Sequence, residues 1–133
     1  MRIISAGVIL VLGCIVGHAS AQEHWLTAVR SPITGTWQFN PDSVKVIGDT
    51  VKFRVKRIPP DDEKIEAPDV AYAEIDILAK CGGNTVTADN FAQYGPDGSV
   101  GLTSKTPQTV QPGAKGAWGI LVATVCDSKH ISH

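Results

Sequence analysis

Thr50-Val51-Lys52-Phe53-Arg54-Val55-Lys56-Arg57 alternates apolar and polar residues without a break. That is the period of a strand with one buried face, because successive side chains point to opposite sides of a sheet. Val51, Phe53 and Val55 are expected to face a core, and Lys52, Arg54 and Lys56 to face water. Ala71 to Cys81 repeats the pattern. Ala71, Ala73, Ile75, Ile77, Ala79 and Cys81 share one parity, while Tyr72, Glu74, Asp76 and Lys80 share the other. Paired antiparallel, the two strands would set a basic stripe across from Glu74 and Asp76. Exposed pairs of this kind contribute about 1 kcal/mol or less each and mainly fix register.

Weaker strands flank this pair. His24 to Arg30 carries Trp25, Thr27 and Val29 on one parity, and Gly35 to Phe39 points Trp37 and Phe39 inward. Pro41-Asp42-Ser43 reads as a turn, Val44 to Ile47 as a short strand, and Gly48-Asp49 as the hairpin into Thr50. Gly82-Gly83-Asn84 leads into a strand over Thr85 to Tyr94, and Gly95-Pro96-Asp97-Gly98 turns the chain back through Val100 to Ser104. Consecutive hairpins make an antiparallel meander of about six strands. The stretch from Ile58 to Asp69, with Pro59, Pro60 and Pro68, has no apolar period and reads as a solvated loop. Its acids lack the ligand spacing of a calcium loop, so no metal is assigned to it.

After Pro112-Gly113 the period changes. Ala114, Ala117, Trp118, Leu121, Val122 and Val125 form one stripe of an amphipathic helix. Gly116 and Gly119 each lower intrinsic helicity by about 1 kcal/mol, so this helix depends on docking. The implied class is α+β: a meander sheet with one C-terminal helix packed on one face.

The opening residues set the compartment. Arg2, the apolar run Ile3 to Gly17 and His18-Ala19-Ser20-Ala21 have the layout of a secretory signal peptide over residues 1–21. The run is short of the roughly twenty residues that span a bilayer. Val11-Leu12-Gly13-Cys14 offers a second route, in which a lipidated Cys14 anchors the protein to a membrane. Leu12 and the apolar residues after Cys14 fit that pattern poorly, which favours plain secretion. The mature domain then spans 22–127, with a flexible tail over 128–133.

Loss of Arg2 leaves 11 of the 12 basic residues against 13 acidic ones, a net charge of −2. This gives no electrostatic case for nucleic acid or anionic lipid. Cys81 and Cys126 are the cysteines left after the leader, and an exported chain meets an oxidising compartment, so a bond between them is expected. Closing a loop of about 45 residues corresponds to about 4 kcal/mol in the chain-entropy model. It would tie the helix to the sheet.

No catalytic constellation stands out. His130 and His133 lie near the end of the chain with no element to orient them, and His24 is isolated from both, so no metal centre or cofactor is assigned. There is no Gly-x-Ser-x-Gly turn, and Glu74 with Asp76 faces a basic stripe that keeps both ionised, the wrong state for a general acid. The chain is expected not to be an enzyme.

The order of features resembles the surface-adhesin protein E family of Gram-negative envelope proteins. The residues that carry this are Trp25, Phe39-Asn40-Pro41-Asp42-Ser43-Val44, Gly48-Asp49-Thr50-Val51-Lys52-Phe53, Cys81, Tyr94-Gly95-Pro96-Asp97-Gly98, Val110-Gln111-Pro112-Gly113 and Val125-Cys126. The resemblance covers Trp25 to Cys126 and implies a sheet whose concave face is covered by a disulfide-held helix. It further implies a periplasmic or cell-surface location, a protein partner such as a host extracellular-matrix protein, and a homodimer. The Ile58 to Asp69 stretch departs from the family pattern. Candidate partner residues are Lys52, Arg54 and Lys56 on the outer face, and Asp61, Asp62, Glu63 and Lys64 in the loop. A periplasmic small-ligand or accessory role using a cleft between helix and sheet is the alternative.

Overall fold

The structure, a computed structural model, describes residues 24–113 and 116–131, with side chains through Asp127. The expected leader and its Cys14 lie outside the described residues. The chain forms strands β1 (Leu26–Ser31), β2 (Gly35–Phe39), β3 (Lys45–Ile47) and β4 (Thr50–Ile58), then helix α1 (Asp61–Glu66). Strands β5 (Tyr72–Lys80), β6 (Val86–Tyr94), β7 (Val100–Ser104) and β8 (Gln108–Val110) follow, and helix α2 (Ala117–Ile131) ends the fold.

All strand pairs are antiparallel. The order is β1-β2-β4-β5-β6-β7, with β3 also against β4 and β8 also against β6. In effect β2 and β3 are one strand along β4, interrupted at 40–44 by a short 3-10 turn over Pro41–Ser43. The interruption is stitched by side chains. Asn40 Oδ1 accepts the Asp42 N–H at 2.9 Å, and Ser43 Oγ accepts the Arg54 N–H at 2.8 Å while donating to the Asn40 carbonyl. A hydroxyl thus stands in for the missing ladder partner of β4. The β1–β2 hairpin closes through Gly35, whose φ of +98° puts it in the left-handed region. A Cβ there would also run into the Ile58 carbonyl oxygen.

The alternation seen in the sequence sorts the two faces. Val51, Phe53, Val55, Ile77 and Ala79 are buried under α2, which contributes Leu121 and Val125, both with no exposure. Cross-strand pairs Phe53–Ile77 and Val51–Ala79 interlock this core. Cys81, just beyond β5, bonds Cys126 of α2 with Cα atoms 5.8 Å apart. The expected fold, helix on sheet with a covalent tie, is what forms.

Four details differ from the sequence reading. Strand β8 was not foreseen, since Gln108-Thr109-Val110 is too short to show a period. Residues 61–66, read as loop, form α1: Pro60 precedes its first turn, three acids occupy that turn, and Arg57 holds Glu63 from β4. α2 runs on through Ile131 where a tail from residue 128 was expected. No glycine or proline interrupts residues 127–131 to stop it. Trp25 shares one parity with Val29 by simple alternation, but a register shift between Thr27 and Val29 breaks that parity. The Trp25 ring lies instead beside Lys56, with Nζ 5.4 Å from its centroid.

Candidate functional site

Two regions stand out among the described residues, one on each side of the sheet. The first is the outer face, turned away from α2, where β4, β5 and β6 carry their second parity. Arg54 donates from Nη1 to Glu74 Oε1 at 2.8 Å and from Nε to Asp76 Oδ1 at 3.1 Å. Asn90 Nδ2 donates to Asp76 Oδ2 at 2.8 Å. Asn90 sits in the left-handed region, φ +51°, where β6 shifts register against β5. Glu74 is only 9% exposed, so this is no loose surface pair. Partial burial works against the Arg54 charge, yet the hydrogen bonds and charges of Glu74 and Asp76 outweigh it and raise its pKa.

Beside this network runs a row of rings. Lys56 Nζ lies 4.4 Å from the Tyr72 ring centroid, with Trp25 as a second wall. Tyr72 stacks on Tyr94, its directly opposite partner in β6, with centroids 5.0 Å apart and planes 16° from parallel. Trp25, Lys56, Tyr72 and Tyr94 therefore form one continuous row across the sheet, braced side to side. The basic stripe expected from the sequence is only partly available. Arg54 and Lys56 are engaged within the face, while Lys52 is exposed opposite Leu78.

The loop residues do not join this patch. Glu63 takes a two-pronged bond from Arg57 Nη1 and Nη2, each 2.9 Å. Arg57 has the inward parity of β4, so α1 is drawn toward the helix side of the sheet end. This bond holds the Glu63 carboxyl below the usual carboxylate range. Asp61, Asp62 and Lys64 are exposed along a shallow depression shared with the β1–β2 hairpin.

The second region is a cleft of about 560 Å³ on the helix side. The α2 backbone comes nearest to β1 and β2, leaving an opening between Trp118 in its first turn and the β6–β8 edge. Trp37, Ile75, Phe91 and Trp118 supply apolar lining, and Arg57 and Gln108 supply polar groups. The register shift at Asn90 lets Ala88 and Phe91 both pack on the helix side, an arrangement that strict alternation forbids. Among the described residues no group of His, Cys, Asp and Glu is placed to hold a metal ion.

Sequence reasoning missed Tyr72, Tyr94, Asn90 and Phe91 as site residues. Tyr72 shared the parity of Glu74 and was visible in principle. Tyr94 and Phe91 were hidden by the shift in β6, which no periodicity encodes.

The class defined here is an antiparallel sheet domain with a C-terminal helix fastened across one face by a disulfide. No protein-family model and no curated protein matches the chain. Among solved structures, Haemophilus influenzae protein E in its crystal form II is similar, with a TM-score of 0.52 over 77% of this chain and 93% of that one. The two are 13% identical, a likeness of fold alone.

Proposed function

We propose that this chain is an exported envelope domain that acts by recognising a protein partner rather than by catalysis. The recognition surface is the outer face of the sheet. One observation carries this reading: Trp25, Arg54, Lys56, Tyr72 and Tyr94 are gathered on the sheet face opposite the helix. Tryptophan, tyrosine and arginine dominate the energetic centres of protein interfaces. Here they are already held in place by each other, so little side-chain freedom remains to be lost on binding. Export is supported by the Cys81–Cys126 bond, a linkage that persists in oxidising compartments. No helix among the described residues is long and apolar enough to cross a membrane.

The partner class to test first is the extracellular-matrix proteins suggested by the family resemblance. Mature protein is titrated onto immobilised matrix proteins, beside a Tyr72→Ser/Tyr94→Ser variant and a variant with Asp61, Asp62 and Lys64 replaced by alanine. The tyrosine variant is expected to bind at least about tenfold more weakly, and the α1 variant to bind unchanged. The opposite ranking would move the surface to α1, and no saturable binding by the unaltered protein would remove the matrix as its partner.

A further inference from the structure

Charge on the outer face narrows the class of partner, given that this face is the recognition surface. Lys45 and Lys52 stand directly opposite each other in β3 and β4, and both are exposed. Neither makes an ion pair among the described residues. With Arg54 and Asp76 they line one shallow depression. Arg54 is engaged by Glu74 and Asp76, so the two lysines are the cations left there for a ligand. Asp76 and Asp89 are likewise directly opposite, in β5 and β6. Asn90 donates to both, from Nδ2 to Asp76 and from its backbone N–H to Asp89, and Asp89 has no cation among the described residues. Like charges set directly across a sheet are destabilising. This face therefore holds two such pairs, of opposite sign, and each would be relieved by an ion from outside.

Leu78 lies between the pairs. It is opposite Lys52, two residues along β5 from Asp76, and 44% exposed. With strands about 4.8 Å apart and two residues spanning about 6.8 Å, Leu78 sits about 7 Å from the centre of each pair, and the pairs lie about 12 Å apart. Side chains on one side of an extended segment recur at that same interval of about 6.8 Å. An acid, an apolar residue and a base at every second position would thus meet Lys45 and Lys52, Leu78, and Asp76 and Asp89 in turn. A polyanion fits poorly, because a run of like charge crossing the face would satisfy the lysines and be repelled by the carboxylates.

We infer that the partner contributes an extended segment of the form acid-x-apolar-x-base. Its carboxylate lies between Lys45 and Lys52, its apolar side chain on Leu78, and its cation beside Asp76 and Asp89.

The probe is the peptide acetyl-Ser-Glu-Ser-Leu-Ser-Lys-Ser-amide, titrated into the mature, oxidised, isotope-labelled protein and followed by amide chemical shifts. Saturable shifts are expected at Lys45, Lys52, Leu78 and Asp89. Peptides with glutamate at both charged positions, or lysine at both, are expected to bind about fivefold more weakly. Lys52→Glu gives Lys45 a partner and Asp89→Lys gives Asp76 one, so each should keep or raise the Tm while weakening the probe about fivefold. Lys45→Glu/Lys52→Glu is expected to prefer the two-lysine peptide, a rescue that a merely structural effect would not produce. Absence of saturable binding, shifts confined to other surfaces, or equal affinity for the three peptides would overturn the inference. So would self-association in analytical ultracentrifugation that Lys52→Glu abolishes, which would place a second copy on the face. Matrix binding that falls in the Tyr72→Ser/Tyr94→Ser variant but not in Lys52→Glu or Asp89→Lys would keep the surface and remove this charge order. Selective binding of the probe without any matrix binding would support the charge order and remove the matrix as partner.

Discussion

The sheet face under α2 and the face turned away from it come from alternate residues of the same strands, yet they are held together differently. Under the helix, Val51, Phe53, Val55 and Ile77 lose essentially all contact with water, and the cohesion is area buried plus one covalent tie. On the outer face cohesion comes from directed contacts: Arg54 with Glu74 and Asp76, and Lys56 with its rings. Packing of the first kind is consumed by folding. Directed contacts in half-exposed groups leave ring edges and ionic groups on display, which is why recognition is assigned to that side.

If the helix side supplies most of the stability, breaking it should cost most. Replacing Cys81 and Cys126 together by alanine is expected to lower unfolding free energy by about 4 kcal/mol in a urea titration. Leu121→Ala, which empties a site with no exposure under intact sulfur chemistry, should cost about 3 kcal/mol. A result near zero for Leu121 would mean that the sulfur bond alone holds α2 down.

The outer face should respond less and in a different manner. Arg54→Ala strands the nearly buried Glu74, with an expected loss of about 2 kcal/mol, tempered because Arg54 is itself 35% exposed along its side chain. Arg54→Met combined with Glu74→Leu should recover part of that loss, since it removes the stranded Glu74 charge while Asp76 still loses its cation and keeps Asn90. Smallest is Glu63→Gln, under about 1 kcal/mol, because the Arg57–Glu63 pair is open to water. Its sign is fixed by the lowered pKa of Glu63, which sits below the ordinary 4.5. The pair therefore stabilises the fold above that pH and fades as pH falls through the folded value, whereas the glutamine variant lacks this component. Acid titrations of both proteins, followed by circular dichroism, would show the difference.

The central strands were plainly legible because β4 and β5 are interior strands with one dry face, where alternation survives intact. Trp118, Leu121 and Val125 announced α2 for the corresponding reason, a stripe at helical spacing over one side. Legibility failed where the backbone departs from its period. The shifts at Thr27–Val29 and at Asn90 each put the residues on their two sides out of phase, and with that Trp25, Phe91 and Tyr94 changed meaning. α1 was unreadable locally because it buries no residue and leans on Arg57, supplied from a strand that precedes it. Of the candidate surface, the basic stripe was foreseen as charge facing charge. Its aromatic half was not, since stacking of Tyr72 on Tyr94 depends on which residues of β5 and β6 fall opposite.

The division between a covered and an open face is tested most directly by nuclear Overhauser contacts in the mature, oxidised protein. Methyl groups of Leu121 and Val125 should show contacts to the core side chains of β4 and β5, such as Phe53 and Ile77. The Tyr72 and Tyr94 rings should show contacts to each other and to Lys56, and none to α2. Helix contacts on the tyrosine side, or an α2 without contacts to the sheet, would contradict it.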